Sequence, residues 1–327
     1  MQRTRWAVLG PGAISRDFVA GLQSSAYGTL HAVGSSSAER AAAFAAEHGA
    51  AASGTYDEVL ARDDVDAVYI GTVHTTHADL AIRALEAGKA VLCEKPASPT
   101  ADEVERILAA AVRAQRPFLE AFKTRFGPFA AAVNDLVSGG ELGAVQRVEA
   151  AFGFAAGSRE GRLFDPALAG GAILDVGCYP VALAVQLAGA AGEPIDSPVV
   201  GAVEADLVSG VDGSATADVE FGGLIAPVAT SVVRQLPGSA LVRFSEGEVF
   251  LPDAWGERAA SASTLIVRRG GDERVIEVPV VQPMAAEADA LSLALAEERL
   301  QVPEMPWAHT RAIARVLTDW RAAALAG

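Results

Sequence analysis

Apolar residues come in short runs along the first third of the chain: Trp6 to Leu9, Leu30 to Val33, Ala67 to Ile70, Ala90 to Leu92 and Pro117 to Leu119. Short continuous runs bounded by glycine or polar residues mark strands buried on both faces. Between them the spacing is helical, over residues 14–24, 38–48, 76–87 and 101–115. Ala78, Ile82 and Leu85 share one face at i, i+4 and i+7, and Gly88 stands just past them as a stop. Strands that alternate with helices predict a parallel, doubly wound α/β sheet of the Rossmann type, covered on both sides.

Past residue 120 the grammar changes. A helix over 127–138 and a strand from Val145 to Phe154 are followed by a helical segment, 171–188. Strand-like segments then succeed one another with only turns between, at 198–209, 214–221, 224–235, 240–245, 264–269 and 273–280. Consecutive strands predict a large, mainly antiparallel open sheet, so the second region is α+β. Helices over 285–299 and 307–325 close the chain. The change of pattern divides it into residues 1–120 and 121–327, with the C-terminal helix a candidate to pack back on the first region. From Leu224 to Val233 both alternating faces are mostly apolar. One face suits the 171–188 helix. The other needs a cover, which points to a homodimer or higher homo-oligomer, with the C-terminal helices as the alternative cover.

With 327 residues, 51% of them hydrophobic, the chain can fill two cores. A formal net charge of -15 sets it against nucleic acid, whose phosphates it would repel, and gives no reason to expect a membrane surface. Its apolar stretches are expected to break well short of the ~20 residues of a membrane span. No apolar segment of the signal-peptide kind follows the N-terminus. Cys93 and Cys178 form no CxxC and no zinc spacing, so neither a disulfide nor a metal is expected. Two free thiols suit a reducing cytoplasm.

Gly10-Pro11-Gly12-Ala13-Ile14-Ser15 follows the first strand and opens the first helix, where a G-x-G-x-x-G turn would stand. The glycines permit a tight turn and close approach to a pyrophosphate, and the helix N-terminus offers it free N–H groups. A plain glycine turn is the alternative. At the end of the second strand, where NAD enzymes place a carboxylate for the ribose, the chain has Ser35, Ser36 and Ser37, with Arg40 one helical turn on. Hydroxyls and a guanidinium suit a 2′-phosphate, which favours NADP, with NAD remaining open.

Gly71-Thr72-Val73-His74-Thr75-Thr76-His77 and Cys93-Glu94-Lys95-Pro96 each follow a strand, at the carboxyl end where doubly wound sheets bind ligands. Thr72 is a candidate contact for the nicotinamide ribose or the pyrophosphate. His74 and His77 are candidates to face the ligand, or they are loop residues. The Lys95 ammonium can hydrogen-bond a substrate oxygen and stabilise charge on it, and Pro96 stiffens the turn that presents it. A surface Glu-Lys pair is the alternative. Arg125 and Lys123 stand just past the last strand of the first region, as candidates for substrate or cofactor phosphate. Arg162 and Asp165 lie in a glycine-rich loop, 157–170, with no motif to place them.

These motifs in this order, with Thr124-Arg125-Phe126 and Gly170-Gly171-Ala172-Ile173-Leu174-Asp175-Val176-Gly177-Cys178-Tyr179, resemble the Gfo/Idh/MocA oxidoreductases over nearly the whole chain. The phrases around Glu94-Lys95-Pro96 and Glu120 to Phe126 are most similar to the dihydrodiol dehydrogenase and NADP-dependent xylose dehydrogenase branch. The resemblance implies a hydride transfer between a nicotinamide and a hydroxyl or carbonyl carbon of a sugar, polyol or cyclic diol. It implies that Lys95 is catalytic and that Tyr179 is the acid/base. Many members carry His where this chain has Tyr179. Gly71, Thr72, His74, His77, Glu94, Lys95, Pro96 and Arg125 are expected at the cofactor. A free tyrosine titrates near pH ~10, and a cation held close lowers that value and makes it a usable base. Asp175, four residues earlier, is either catalytic or a helix cap. Two other readings remain: a nicotinamide-dependent glycoside hydrolase, and a non-catalytic NADP-binding sensor.

Overall fold

The computed structural model describes residues 2–256 and 262–327, so the first residue of the N-terminal reading, Met1, lies outside the described residues. Two compact units are present. One comprises Met1–Ser98, Asp102–Phe126 and Gln282–Trp307; the other comprises Pro99–Ala101, Gly127–Val281 and Ala308–Gly327.

The first unit is built on β1 (Thr4–Leu9), α1 (Ala13–Leu22), β2 (Gly28–Gly34), α2 (Ala38–His48), β3 (Ala52–Gly54), α3 (Tyr56–Leu60), β4 (Ala67–Ile70), α4 (His77–Glu86), β5 (Ala90–Glu94), α5 (Ala101–Ala114) and β6 (Phe118–Ala121). Its six strands lie in the order β3-β2-β1-β4-β5-β6, all parallel. The order reverses between β1 and β4, so the carboxyl ends of those two strands form the switch point where such sheets bind ligands. Two elements escape the periodicity. β3 has three residues, and α3 has five, started by a capping box in which Thr55 and Glu58 each satisfy the other's backbone N–H. The core stacks Phe18 of α1 on Tyr69 of β4 at 3.9 Å, with Trp6 edge-on at 5.5 Å.

The second unit contains α6 (Pro128–Ser138), β7 (Val145–Gly153), α7 (Cys178–Ala190), β8 (Val199–Val208), β9 (Val211–Phe221), β10 (Leu224–Ser231), β11 (Ala240–Phe244), β12 (Glu248–Leu251), β13 (Ala262–Arg269) and β14 (Asp272–Pro279). The eight strands run β14-β13-β12-β11-β7-β10-β9-β8 and are antiparallel except where β7 meets β10. β12 is a short strand the apolar pattern does not announce. α7 and the π-turn before it (Ile173–Gly177) pack on β7 and β10. Residues 166–190 are long and apolar enough, by length and a mean hydropathy of 1.7, to cross a bilayer. This overturns the expectation that every apolar stretch breaks early, but 83% of the window is buried against the sheet. Along β10, Leu224, Ala226 and Val228 are buried, while Ile225 on the other face is 37% exposed.

Two more helices, α8 (Pro283–Ala296) and α9 (Trp307–Ala326), complete the chain. Residues 121–126 and 282–307, which the sequence pattern groups with the second region, pack in the first unit. α8 lies against α1 at Gly21, where a Cβ would stand 2.8 Å from Met284 Cβ. Asp289 of α8 accepts the N–H groups of Ala26 and Tyr27 at 3.0 Å each. Only contacts made after the chain returns could assign this helix, which is why local pattern misassigns it.

Candidate active site

The turn from β1 into α1 is shaped by missing side chains. Gly10 has φ +91°, and a Cβ on it would stand 2.5 Å from Thr72 Cγ2. Gly71, after β4, is as tight, with a Cβ 2.3 Å from Ser15 Oγ. Ser15 is buried and donates to the Gly10 carbonyl at 2.7 Å, which ties helix to turn. Gly12 is different: its Cβ would come no nearer than 4.0 Å to Gly71 O, and it caps α1 with no side-chain hydrogen bond. Ala13 and Ile14 open the helix, so their N–H groups lack intrahelical partners. A glycine cradle in front of an uncapped helix N-terminus fits a pyrophosphate.

At the end of β2 the three serines part company. Ser35 is buried, its Oγ accepts the Ser37 N–H at 3.2 Å and its own N–H reaches the Gly54 carbonyl at 3.1 Å. It builds the loop. Ser37 caps α2 by accepting the Arg40 N–H at 3.3 Å. Ser36 and Arg40 are the exposed pair, with Arg40 Nη2 donating to Ser36 Oγ at 2.9 Å. This is where a 2′-phosphate would find a guanidinium and a hydroxyl together.

The turn after β4 is tied to the turn after β5 by one ring. His77 is fully buried, with Nδ1 2.9 Å from Pro96 O and Nε2 3.2 Å from Thr72 O. A neutral imidazole donates to one of these carbonyls and a charged one to both. His74 is also buried, edge-on to His77 at 5.9 Å. Thr76 donates to Thr72 Oγ1 at 2.8 Å. His77 is therefore held between two turns of the first unit, and Thr72 keeps its place at the strand end beside Gly10.

Glu94 ends β5 buried, and Tyr69 donates its phenol to Glu94 Oε1 at 2.7 Å. Burial pushes the Glu94 carboxyl up, while Lys95 and the Tyr69 hydrogen bond pull it down. Lys95 follows, partly exposed, joined to buried Pro96 by a cis peptide bond. Arg125 lies in the core of the first unit. Its Nη2 donates to the Glu304 carbonyl at 3.0 Å, and burial pushes its guanidinium down to about 9, with Glu120 opposing. Burial decides this geometry, and sequence position does not reveal it.

In the second unit every residue of 171–182 is buried except Asp175 and Tyr179. Asp175 does not cap a helix. It sits inside the π-turn, where its Oδ1 accepts from Arg162 Nη2 at 2.8 Å. The π-turn also takes up the break that Pro180 would otherwise impose, so α7 runs through Tyr179-Pro180. Asp165 accepts the Ala167 N–H at 2.9 Å and shapes its own loop. The Tyr179 ring packs edge-on to Phe152 at 5.4 Å and lies 6.0 Å from Trp255, itself stacked on Phe152 at 5.7 Å. Trp255 is anchored by its Nε1 to the Ala151 carbonyl at 2.9 Å. No motif announces Phe152 or Trp255; their meeting is visible only in the folded sheet.

Beneath the π-turn, Asp212 of β9 accepts the Ile173 N–H at 2.6 Å. Burial pushes its carboxyl up to about 6, with the Ile173 hydrogen bond opposing. Gly171, at φ +115°, lies so close that a Cβ would stand 2.2 Å from Asp212 Oδ1. Asp212 also escapes sequence reasoning, because one aspartate in a strand pattern carries no signal.

Residues 4–122 match a family described as an oxidoreductase family with an NAD-binding Rossmann fold, and residues 130–250 match the GFO/IDH/MocA C-terminal domain. The trans-1,2-dihydrobenzene-1,2-diol dehydrogenase of Homo sapiens is 31% identical over 98% of this chain and 96% of its own length. That of Xenopus tropicalis is 29% identical over 97% and 96%. Among solved structures, aldose-aldose oxidoreductase from Caulobacter crescentus complexed with glycerol superposes with a TM-score of 0.88 at 24% identity, covering 99% of this chain and 98% of that one. A 3-ketoreductase from Actinomadura kijaniata in complex with NADP and TDP-benzene gives 0.85 at 24%, covering 96% of each chain. With a glycine turn at the switch point of its first unit and both family domains matched, the chain is an oxidoreductase that belongs to the Gfo/Idh/MocA family.

Proposed function

We propose that the protein transfers a hydride between NADP and a hydroxyl or carbonyl carbon of a sugar, a sugar-like polyol or a cyclic diol. The observation that carries this reading is the exposure pattern of 171–182, which buries everything except Asp175 and Tyr179. A half-buried phenol beside two stacked aromatic rings, in a segment otherwise closed, serves a ligand better than it serves a core. The names of the relatives, dehydrogenases of a cyclic diol and oxidoreductases of sugars, point to the same substrate class.

When bound, the nicotinamide accepts or returns the hydride. The chain supplies the rest. Gly10, Gly12, Ala13 and Ile14 receive the pyrophosphate, and Ser36 with Arg40 receives the 2′-phosphate. Lys95 holds the reacting oxygen and stabilises charge on it. Tyr179 takes the hydroxyl proton in oxidation and gives it back in reduction. Asp175, held by Arg162, orients the segment that presents Tyr179. Phe152, partly exposed, offers an apolar face to the C–H side of a ring-shaped substrate, with the buried Trp255 stacked behind it.

The protein works in the cytoplasm as a homo-oligomer in this proposal. The open face of the large sheet carries a ladder of ion pairs, Arg147–Glu149–Arg243–Glu248–Arg268–Glu273, at 2.8 to 3.1 Å. Alternating signs let a second copy related by a twofold axis meet its own opposites, around the exposed Ile225. Sedimentation showing a monomer at micromolar concentration would remove this part.

The deciding experiment follows reduced-nicotinamide absorbance with NADP or NAD against a panel of aldoses, inositols and cyclic diols. Net reduction of NADP by one substrate class is expected. Silence across the panel with cofactor binding intact would overturn the reading, in favour of a hydrolase that regenerates its cofactor or a sensor.

A further inference from the structure

The first unit holds a cleft of about 510 Å³ at the edge of its sheet opposite the glycine turn. Thr4, Asp66 and Lys89 line it, and they stand at or just before the first residues of β1, β4 and β5. Its charged lining is Arg3, Arg5, Lys89 and Arg116 against Asp63 and Asp66. That leaves two positive charges in excess, on a chain whose net charge is -15. Leu295 and Ala296 of α8 supply an apolar wall. All of these residues belong to the first unit, and hydride transfer uses none of them.

The carboxylates do not answer the two innermost cations. Asp66 is taken by Arg5, whose Nε and Nη2 reach it at 2.9 and 2.7 Å, and Asp63 is exposed. Lys89 is 7% exposed, and its Nζ donates to the Arg62 and Val65 carbonyls at 2.5 and 3.0 Å. Arg116 donates from Nε to the Gly88 carbonyl at 2.7 Å and from Nη1 to the Gln115 carbonyl at 3.3 Å. Among the described residues, neither Lys89 nor Arg116 forms an ion pair. A lysine buried this far is ordinarily paired with an opposite charge. Carbonyls alone would be served as well by a neutral amide donor, so the charge itself needs a partner. An ammonium has three N–H groups and a guanidinium five, so both side chains keep a donor beyond these bonds.

We propose that this cleft binds a small phosphate monoester, with Lys89 and Arg116 on the phosphate and a short carbon skeleton against Leu295 and Ala296. A phosphate monoester carries close to two negative charges at neutral pH, which matches the excess. A guanidinium beside an ammonium is a donor set that phosphate takes. The cleft is roomier than bare phosphate needs and falls in the size range of small-molecule sites. β1 starts in the lining at Thr4 and ends at Leu9, beside the glycine turn, so the two sites stand ~20 Å apart along the strand. The bound ester is therefore neither the cofactor nor its hydride partner, and the site stands whether or not hydride transfer is the chemistry.

Glycerol 3-phosphate is the probe, titrated into the full chain at constant ionic strength and read by calorimetry. Saturable binding, half-complete by ~1 mM, is expected. Arg116→Ala should weaken it by ~10-fold or more, the worth of a charge-assisted hydrogen bond. Lys89→Gln keeps a donor for the two carbonyls, removes the charge, and should weaken binding at least as much. Arg40→Ala should leave it unchanged. Inorganic phosphate, which lacks the skeleton, should bind several-fold more weakly, and equal affinity would overturn the monoester. Absence of saturation by ~10 mM overturns the site. So does binding that survives Arg116→Ala, or that is lost in Arg40→Ala instead, since the phosphate then sits elsewhere. If Lys89→Gln does not fold, the half-buried Arg116 decides alone.

Discussion

Asp212 accepts the backbone N–H of Ile173 at 2.6 Å, joining two points 39 residues apart in sequence. This bond starts the π-turn that carries Asp175 and leads into the half-buried Tyr179. It also explains the glycine pair before it. Gly171 must be a glycine twice over, for its φ of +115° and for the oxygen that any Cβ would strike.

Gly171→Ala is therefore expected to cost at least about 2 kcal/mol, since strain and collision both act and backbone and carboxylate cannot both move aside. Urea unfolding of the two proteins checks it. Equal midpoints and slopes would mean that the turn relaxes freely.

Asp212 makes stability depend on pH in an unusual direction. Its carboxyl lies at about 6 in the fold against 3.8 in a free chain. Between these values the folded protein binds a proton that the unfolded chain releases, so this group adds stability as pH falls from about 6 toward 4. The contribution is on the order of 2–3 kcal/mol, and Asp212→Asn should abolish it. Thermal unfolding of both proteins at pH 7 and pH 4.5 gives the comparison. A wild-type minus variant difference that stays constant between these pH values would disprove a buried titrating Asp212.

Lys95→Ala and Tyr179→Phe should each lower turnover by at least ~100-fold, the scale of acid–base and charge-stabilising contributions. Cofactor affinity, read by fluorescence titration of the reduced nicotinamide, should change little. Near-normal rates in both variants would end the catalytic assignment.

Arg40→Ala should weaken NADP binding by ~10-fold or more, the worth of a charge-assisted hydrogen bond. NAD binding should stay nearly constant, because in the proposed site Arg40 and Ser36 serve only the 2′-phosphate that NAD lacks. Calorimetry with both nucleotides decides it, and an equal loss for the two would remove the phosphate role.

Trp255→Ala should raise KM by ~10-fold, in line with a lost aromatic contact of about 1.5 kcal/mol, and lower kcat by less. Full retention of KM would show that the Trp255 ring supports the fold and not a substrate.

The doubly wound sheet was readable from the chain because each of its signals is local. A four-residue apolar run, a glycine turn and a helix cap act within one turn of backbone, and Gly10, Gly12 and Ser37 do in the fold what their neighbours in sequence suggest. The α+β character of the second unit was readable for the same reason, whereas β3, β12 and α3 are too short to leave a period. The roles of Ser35, Arg125, His77, Asp212 and Trp255 were not readable. Each depends on whether a polar or aromatic side chain is buried, and against what, and that is settled only when segments remote in sequence close on one another. Trp255 meets Phe152 across 103 residues, and α8 packs on β5 because it returns to a sheet completed more than 160 residues earlier. Periodicity reports the face a residue prefers; the charge, the partner and the proton it ends with are properties of the closed core.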